Sequence, residues 1–352
     1  MTRLPDHPED KAIVEAANKI FNTKVSLRVK LLIAAALIIV FVVSFGLGTY
    51  FVSPSDIIRS LLGFDMADVN VGIVLYKLRF PRIVVVMLVG AALSIAGASY
   101  QGMFKNPLTS PDLLGAAAGA SFGACIALLM NQGGVVVQIC AFIGGMVAVG
   151  IAVNLNKLVN YDPILGLVLA GILVSTLFGS GTSLIKFLAD ANYSLPVITF
   201  WLMGSFADID QNDLVRCLIP MIIGFVVLLS QSWKLNILSF GDEEARSMGV
   251  NTNRTRLLVI LAATLLTSIS VAMAGIVGWI GLVIPHLARA IVGPNYKVLL
   301  PTSMFVGAVY LLIVDDIARL IATVEIPIGI LTSIMGVPFF VIIFKRNMKG
   351  WR

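Results

Sequence analysis

Long stretches without a single charged side chain constrain this chain more than any other feature. No charge lies between Lys30 and Asp56, between Arg82 and Lys105, or between Asp112 and Lys157. A crossing of the hydrocarbon layer takes about 20 apolar residues, so the last run has room for two. Hydrocarbon offers no water to satisfy backbone N–H and C=O groups, so these runs are helices. Composition agrees: 58% of the 352 residues are hydrophobic and 12% are charged, with mean hydropathy +0.97. A soluble core of this size could not bury that much apolar surface.

Ten spans account for the sequence, with approximate limits 31–52, 82–104, 113–130, 135–155, 163–187, 214–231, 256–274, 276–292, 298–319 and 327–345. Reversals are marked by Asn131-Gln-Gly-Gly134, Tyr161-Asp-Pro163, Gly293-Pro294 and Ile326-Pro327. Segment 190–208 is uncharged inside but short and opens at Pro196, so a re-entrant or surface helix is expected there. With the N-terminus inside, eighteen of the 25 Lys and Arg fall on or beside cytoplasmic loops. The outer side collects the other seven: Arg59, Lys77, Arg79, Arg82, Lys186, Arg216 and Arg319. This bias places both termini in the cytoplasm and explains the net charge of +6 without any nucleic-acid partner.

No cleavable secretion signal is expected, because residues 1–30 are polar and precede no short apolar core with a small-residue cleavage site. Residues 8–24 read either as an amphipathic helix on the inner leaflet or as a mobile tail with nascent helix. Cys125, Cys140 and Cys217 lack metal-ligand spacing and read as small core residues.

Small residues and missing charges bear on mechanism. Gly115, Gly119 and Gly123 recur every four residues, and Gly275, Gly278 and Gly281 every three. Both sets read as bare faces for close helix packing, with sliding during gating as a secondary use; Gly144-Gly145 adds another. No phosphate-binding glycine loop is present. Ion-coupled transporters usually keep carboxylates or histidines within their spans. Here Asp315 and Asp316 come closest, near the outer end of span nine, so the energy source is expected elsewhere. His7 and His286 form no HExxH site, and no serine shows a His/Asp arrangement. No catalytic, cofactor-binding or metal-ligating residue is assigned.

The longest inner connection runs from Lys234 to Arg256. Within it Asp242, Glu243 and Glu244 follow Gly241 and suit a first helical turn, and Gly249 suits a stop. The pattern fits a short docking helix for a soluble partner and equally an ordinary solvated loop helix.

Several segments, in order, resemble the iron-siderophore and cobalamin ABC importer permeases. They are Leu78-Arg-Phe-Pro-Arg82, the stretch from Gly90 to Gly102, Asn106-Pro-Leu108, Pro111-Asp-Leu-Leu-Gly115, Gly241 to Gly249, Ala274 to His286, Asp316-Ile-Ala-Arg319 and Glu325-Ile-Pro-Ile-Gly329. Each is loose alone; their order and spacing from about residue 30 to the C-terminus make the resemblance specific. It implies an all-α polytopic membrane protein with ten transmembrane helices, both termini cytoplasmic and a coupling helix between spans six and seven. Residues 31–346 then form the permease domain, with the coupling loop at 234–255 and cytoplasmic tails at 1–30 and 347–352.

The same resemblance implies partners: a second permease subunit, identical or related, two cytosolic ATPases and an extracytoplasmic substrate-binding protein. ATP and magnesium belong to the ATPase, and the location is the cytoplasmic membrane of a bacterium. Arg79, Arg82 and Arg319 match arginines that receive acidic residues of the binding protein; the other reading makes them interfacial anchors. Gly241, Asp242, Glu243, Glu244, Ala245, Arg246, Ser247, Met248 and Gly249 match the coupling helix that sits in the ATPase. The cargo pathway is expected along the dimer interface, with contributions from the fifth and tenth spans and a constriction near Asp162 to Leu165. Ferric siderophores are the expected cargo, with haem or cobalamin next. An ion-coupled secondary transporter, working without an ATPase, and an intramembrane enzyme needing a serine or His286 are the rivals. The charged N-terminal extension and Lys77 lie outside the family pattern, and their roles stay open.

Overall fold

The computed structural model describes residues 26–48, 50, 52, 53, 55, 56, 59, 69–158, 163–322 and 324–348. The expectations for the tail at 8–24, the turn at Tyr161-Asp162 and the last residues from 349 lie outside them. Among the described residues all regular structure is helical. In chain order the helices are α1 (Leu27–Gly46), α2 (Phe80–Met103), α3 (Ala116–Leu129), α4 (Gly134–Leu158), α5 (Pro163–Leu188), α6 (Ser194–Met203) and α7 (Gln211–Ser230). Then follow α8 (Ser232–Leu238), α9 (Asp242–Ser247), α10 (Thr252–Ala274), α11 (Ile280–Val292), α12 (Tyr296–Ile321) and α13 (Ile328–Met348). An α-helical turn, Val69–Gly72, and a π-helical stretch, Ile73–Arg79, lead without a break into α2.

Among the described residues seven helices are long and apolar enough to cross a membrane: α1, the continuous Ile73–Met103, α4, α5, α7, α10 and α12. The remaining expected spans, 113–130, 276–292 and 327–345, fall on the shorter apolar segments Ala116–Leu129, Ile280–Val292 and Ile328–Val341. At 1.5 Å per residue, α3 and α11 reach only about 20 Å against about 30 Å of hydrocarbon. These two helices alone are too short to cross, so the structure bears out seven of the ten expected spans by length and composition. Segment 190–208 yields α6, whose 10 residues are too few to span.

Local chemistry sets the helix ends. Asn251 accepts the Arg254 N–H at 3.0 Å to open α10. At α7 a capping box pairs the Asp213 N–H with the Asp210 carboxylate at 2.8 Å and the Asp210 N–H with Asp213 at 3.0 Å. The Asp213 N–H holds the exposed Asp210 carboxyl below the usual carboxylate range.

Helix α2 is the hub. It is buried along nearly its whole length and packs against α7, α10, α11 and α12. Small residues permit this closeness: a methyl group on Gly97 would overlap the Gly281 carbonyl of α11, and one on Gly90 would overlap the Gly307 carbonyl of α12. A second layer forms where α3 lies on α4, with Gly119 against Gly144 and Gly123 against the Cys140 carbonyl. Cys125 and Cys217 are buried, Cys140 is half-buried, and all three are free thiols. The outward faces of α1, α4, α5 and α7 are apolar, with Ile39, Ile143, Leu173 and Ile219 among the exposed side chains.

Two glycine expectations need correction. Gly115 does not continue the α3 stripe; it stands before the helix with φ +82°, a left-handed residue beside Ser175. Gly275, Gly278 and Gly281 do not share a helix face, because the chain between Ala274 and Ile280 is not helical. Gly275 meets the backbone around Trp201 and Gly204, Gly278 meets nothing within 4 Å, and Gly281 meets Pro111 and Leu93. A period of three can arise from a break as easily as from a helix.

The α2 contacts predict that Gly97→Leu lowers the thermal midpoint in detergent sharply, because overpacking costs roughly 1–3 kcal/mol even where neighbours yield and here the neighbour is backbone. Gly150→Ala, where a methyl meets nothing within 4 Å, should leave it unchanged or slightly raised. Equal midpoints for the two variants would contradict the packing account.

Candidate functional site

Charge gathers at the two ends of the helical body. At the expected outer end, Arg82 at the start of α2 reaches α12 and the α12–α13 connection. Its guanidinium contacts Asp315 at 2.8 Å and Glu325 at 2.7 Å, with a second bond to Glu325 at 2.8 Å. This two-pronged hold is what a planar fork allows and an ammonium does not. Arg319 lies one turn beyond Asp315 and contacts it at 3.2 Å, and it also pairs with Asp316. Asp316 accepts from Ser44 of α1 at 2.6 Å, and Arg319 donates to the Leu47 carbonyl at 3.1 Å. Arg79, just before α2, donates to the Phe45 and Tyr50 carbonyls.

The three sequence-assigned arginines therefore come together, but turned inward, each about 6–7% exposed. Asp315 is fully buried between two of them. Glu325 alone keeps an accessible edge, its side chain 30% exposed. Asp315 and Asp316 stand four and three residues before Arg319, a spacing that puts them on one helix face and is the sequence signal for these carboxylate partners. The Arg82 pairing spans 233 residues and leaves no local signal.

At the other end, α9 is a six-residue helix with Asp242, Glu243 and Glu244 in its first turn. It stops in a Schellman turn: the Val250 N–H reaches the Ala245 carbonyl at 2.9 Å and the Gly249 N–H reaches the Arg246 carbonyl at 3.0 Å. Gly249 takes φ +78°, which favours glycine. Ala245 and Val250 are buried and anchor the element, while Glu243, Glu244, Arg246, Ser247 and Met248 are exposed. Asp242 faces the body, where Arg256 of α10 pairs with it at 2.7 Å and Lys105 beyond α2 stands at 3.9 Å.

A further clamp was not legible in the sequence. Asn236 of α8 is fully buried, donates to the Asn295 side chain at 2.9 Å and accepts the Tyr296 N–H at 2.8 Å. It seats the loop carrying α9 on the start of α12. Among the described residues no cluster of three or more His, Cys, Asp or Glu could hold a metal ion.

The model of the FecCD transport family matches residues 36–346. A molybdate import system permease protein of Haemophilus influenzae is 37% identical over 89% of this chain and 94% of its own length. An Fe(3+)-citrate import system permease protein of Bacillus subtilis is 35% identical over 91% of this chain and 95% of its own. Cobalamin import permeases also match. Among solved structures, an inward-facing ABC transporter described as of metal-chelate type superposes with TM-score 0.81 at 36% identity, covering 89% of this chain and 97% of its own.

The outer charge cluster predicts its own cost of disruption. Asp315→Ala leaves Arg82 and Arg319 without their shared carboxylate and should lose about 3–5 kcal/mol of stability. Glu243→Ala on the exposed face of α9 should stay within about 0.5 kcal/mol. Thermal unfolding of the purified chain in detergent reads both, and an unchanged midpoint for Asp315→Ala would refute the buried network.

Proposed function

This chain belongs to the FecCD transport family and is a permease subunit of an ABC importer, and we propose that its cargo is a ferric siderophore. ATP hydrolysis is the work of a separate ATPase subunit, so the chain itself is a transport component and not an enzyme. The observation that carries the cargo reading is the Fe(3+)-citrate permease of Bacillus subtilis, matched nearly end to end. Ferric citrate and ferric siderophores are both iron wrapped in oxygen-rich chelators. The molybdate permease supports a second reading, a small oxyanion. Haem and cobalamin follow.

In this reading the chain crosses the bacterial cytoplasmic membrane ten times with both termini inside. It pairs with a second permease, identical or related, above two ATPases and below a binding protein. The exposed face of α9, with Glu243, Glu244, Arg246 and Met248, docks on the ATPase, and the ion pair from Asp242 to Arg256 passes its movement to α10. Outside, acidic groups of the binding protein approach Arg79, Arg82 and Arg319. Because Glu325 holds the accessible edge of Arg82, an incoming carboxylate has to exchange with it. Such exchange conserves charge pairing, and so favours a reversible contact.

Uptake of labelled ferric siderophores, molybdate, haem and cobalamin by deletion and complemented cells, with and without ATP depletion, tests the cargo. Restored, ATP-dependent uptake of the siderophore alone is expected. Restoration of molybdate instead would replace the cargo, and uptake that followed an ion gradient and ignored ATP would remove the importer reading. Reversing Glu243 and Glu244 to Lys should leave the permease folded while lowering transport per ATP hydrolysed at least about tenfold, since rim charges of one sign set docking. Unchanged coupling in reconstituted vesicles would reassign α9 as a plain loop helix.

A further inference from the structure

The five residues Gly275–Trp279 join α10 to α11 and are not helical. Their depth follows from their neighbours. At the top, Gly275 lies against the backbone of Gly204, where an added Cβ would sit 2.9 Å from the Gly204 Cα. Ile276 comes beside the start of α13, its carbonyl 2.9 Å from a Cβ built on Gly329. At the bottom, Trp279 stands against Gly336, two turns into α13, and stacks toward Phe340 with ring centroids 6.2 Å apart. Gly281 then reaches α2 at Leu93 and Gly97, which is about 16–22 Å along the helix from Arg82 at 1.5 Å per residue. Helix lengths agree. The 23 residues of α10 rise about 34 Å and the 13 of α11 descend about 20 Å, so extended chain of about 3.3 Å per residue covers the remaining ~15 Å.

This stretch therefore descends the outer half of the membrane as unwound backbone. Its polar groups are not matched. The N–H groups of Ile276, Val277, Gly278 and Trp279 and the carbonyls of Gly275, Ile276 and Val277 have no hydrogen-bond partner among the described residues. Gly275 is buried and the Ile276 carbonyl packs beside Gly204 and Gly329, whereas Ile276 as a residue is exposed and Val277, Gly278 and Trp279 are half-buried, so the stretch from Val277 to Trp279 is not sealed in the core. Trp279 adds a left-handed φ of +69°, a conformation that a bulky side chain adopts only under constraint. Lipid cannot satisfy such groups, and irregular backbone at this depth occurs only where it lines a water-filled cavity or is buried in protein. The backbone of a packed helix cannot satisfy them either, because its own N–H and C=O groups are already bonded internally.

We infer that Gly275–Trp279 forms part of the wall of the water-filled cargo passage, presenting its free N–H and C=O groups to water and to the polar surface of the chelate. The inference rests on the importer reading and extends the passage beyond the faces of the fifth and tenth spans. Backbone donors and acceptors suit such a wall. They hydrate a large oxygen-rich cargo without a charged side chain that would hold it.

The test uses the complete importer in vesicles, with Cys125, Cys140 and Cys217 changed to Ala. Gly278→Cys places a thiol where a Cβ meets nothing within 4 Å. Ile219→Cys, on the exposed apolar face of α7, is the lipid-facing control. A charged, membrane-impermeant methanethiosulfonate is the probe; it reacts with thiolate, which forms in water and is suppressed in lipid. Gly278→Cys should be modified at least about tenfold faster than Ile219→Cys, and modification should cut ATP-driven uptake at least about fivefold. Ile276→Cys, whose side chain is already exposed, provides a second position should Gly278→Cys fail to assemble. Modification as slow as the control overturns the inference, and so does fast modification that leaves uptake intact. Absence of ATP-driven uptake in the unmodified importer would defeat the importer reading instead, while the labelling rates would still report whether this segment is wet.

Discussion

Every backbone N–H and C=O placed in hydrocarbon must find a partner within the protein or in enclosed water. That requirement makes the long apolar runs helical, and it makes departures from helix informative. The chain departs at few points. Among the described residues four such points are bordered by glycine or proline: Gly115 before α3, Gly204 after α6, Gly275 after α10 and Pro327 before α13. The same economy explains the hub. With lipid as apolar as leucine, burial alone does not drive helices together, so close packing at Gly97, Gly281, Gly90 and Gly307 does much of the assembly.

Charge obeys a second form of the same rule. The hydrocarbon-depth interior carries little of it, and what is present is matched. Arg82, Arg319, Asp315, Asp316 and Glu325 form one network that ties α2 to α12, with Ser44 and Leu47 drawing in the end of α1. At the opposite end of α2, Lys105 and Arg256 share Asp242 of the small helix α9. One helix thus connects the two charged ends of the helical body. It is buried along nearly its whole length, so the two ends are joined by one continuously packed element.

Part of this was legible beforehand. The run between Arg82 and Lys105 foretold the C-terminal end of α2 within a residue but not that the helix continues back to Ile73, and the acidic turn after Gly241 with the glycine stop at 249 foretold α9. Both are local patterns of hydrophobicity, capping and backbone freedom. The glycine triplet at 275, 278 and 281 misled, since residue type reports permission for close approach but not whether the surrounding chain is helical. The arginines were recognised individually, yet their burial was not. A positive charge at a span end is read as facing water unless its carboxylate is known, and the carboxylates on Asp315 and Glu325 lie more than two hundred residues away from Arg82.

Sequence by itself determined the class of this protein, the approximate placement of its apolar segments and the positions where charge is tolerated, because these depend on transfer free energies that each residue carries with it. Only the tertiary structure decided which charges neutralise one another, which glycines touch which carbonyls, and that the chain after Ala274 runs unwound beside α13. Those outcomes depend on how helices distant in the chain are laid against each other, and that arrangement is set by packing among all of them at once.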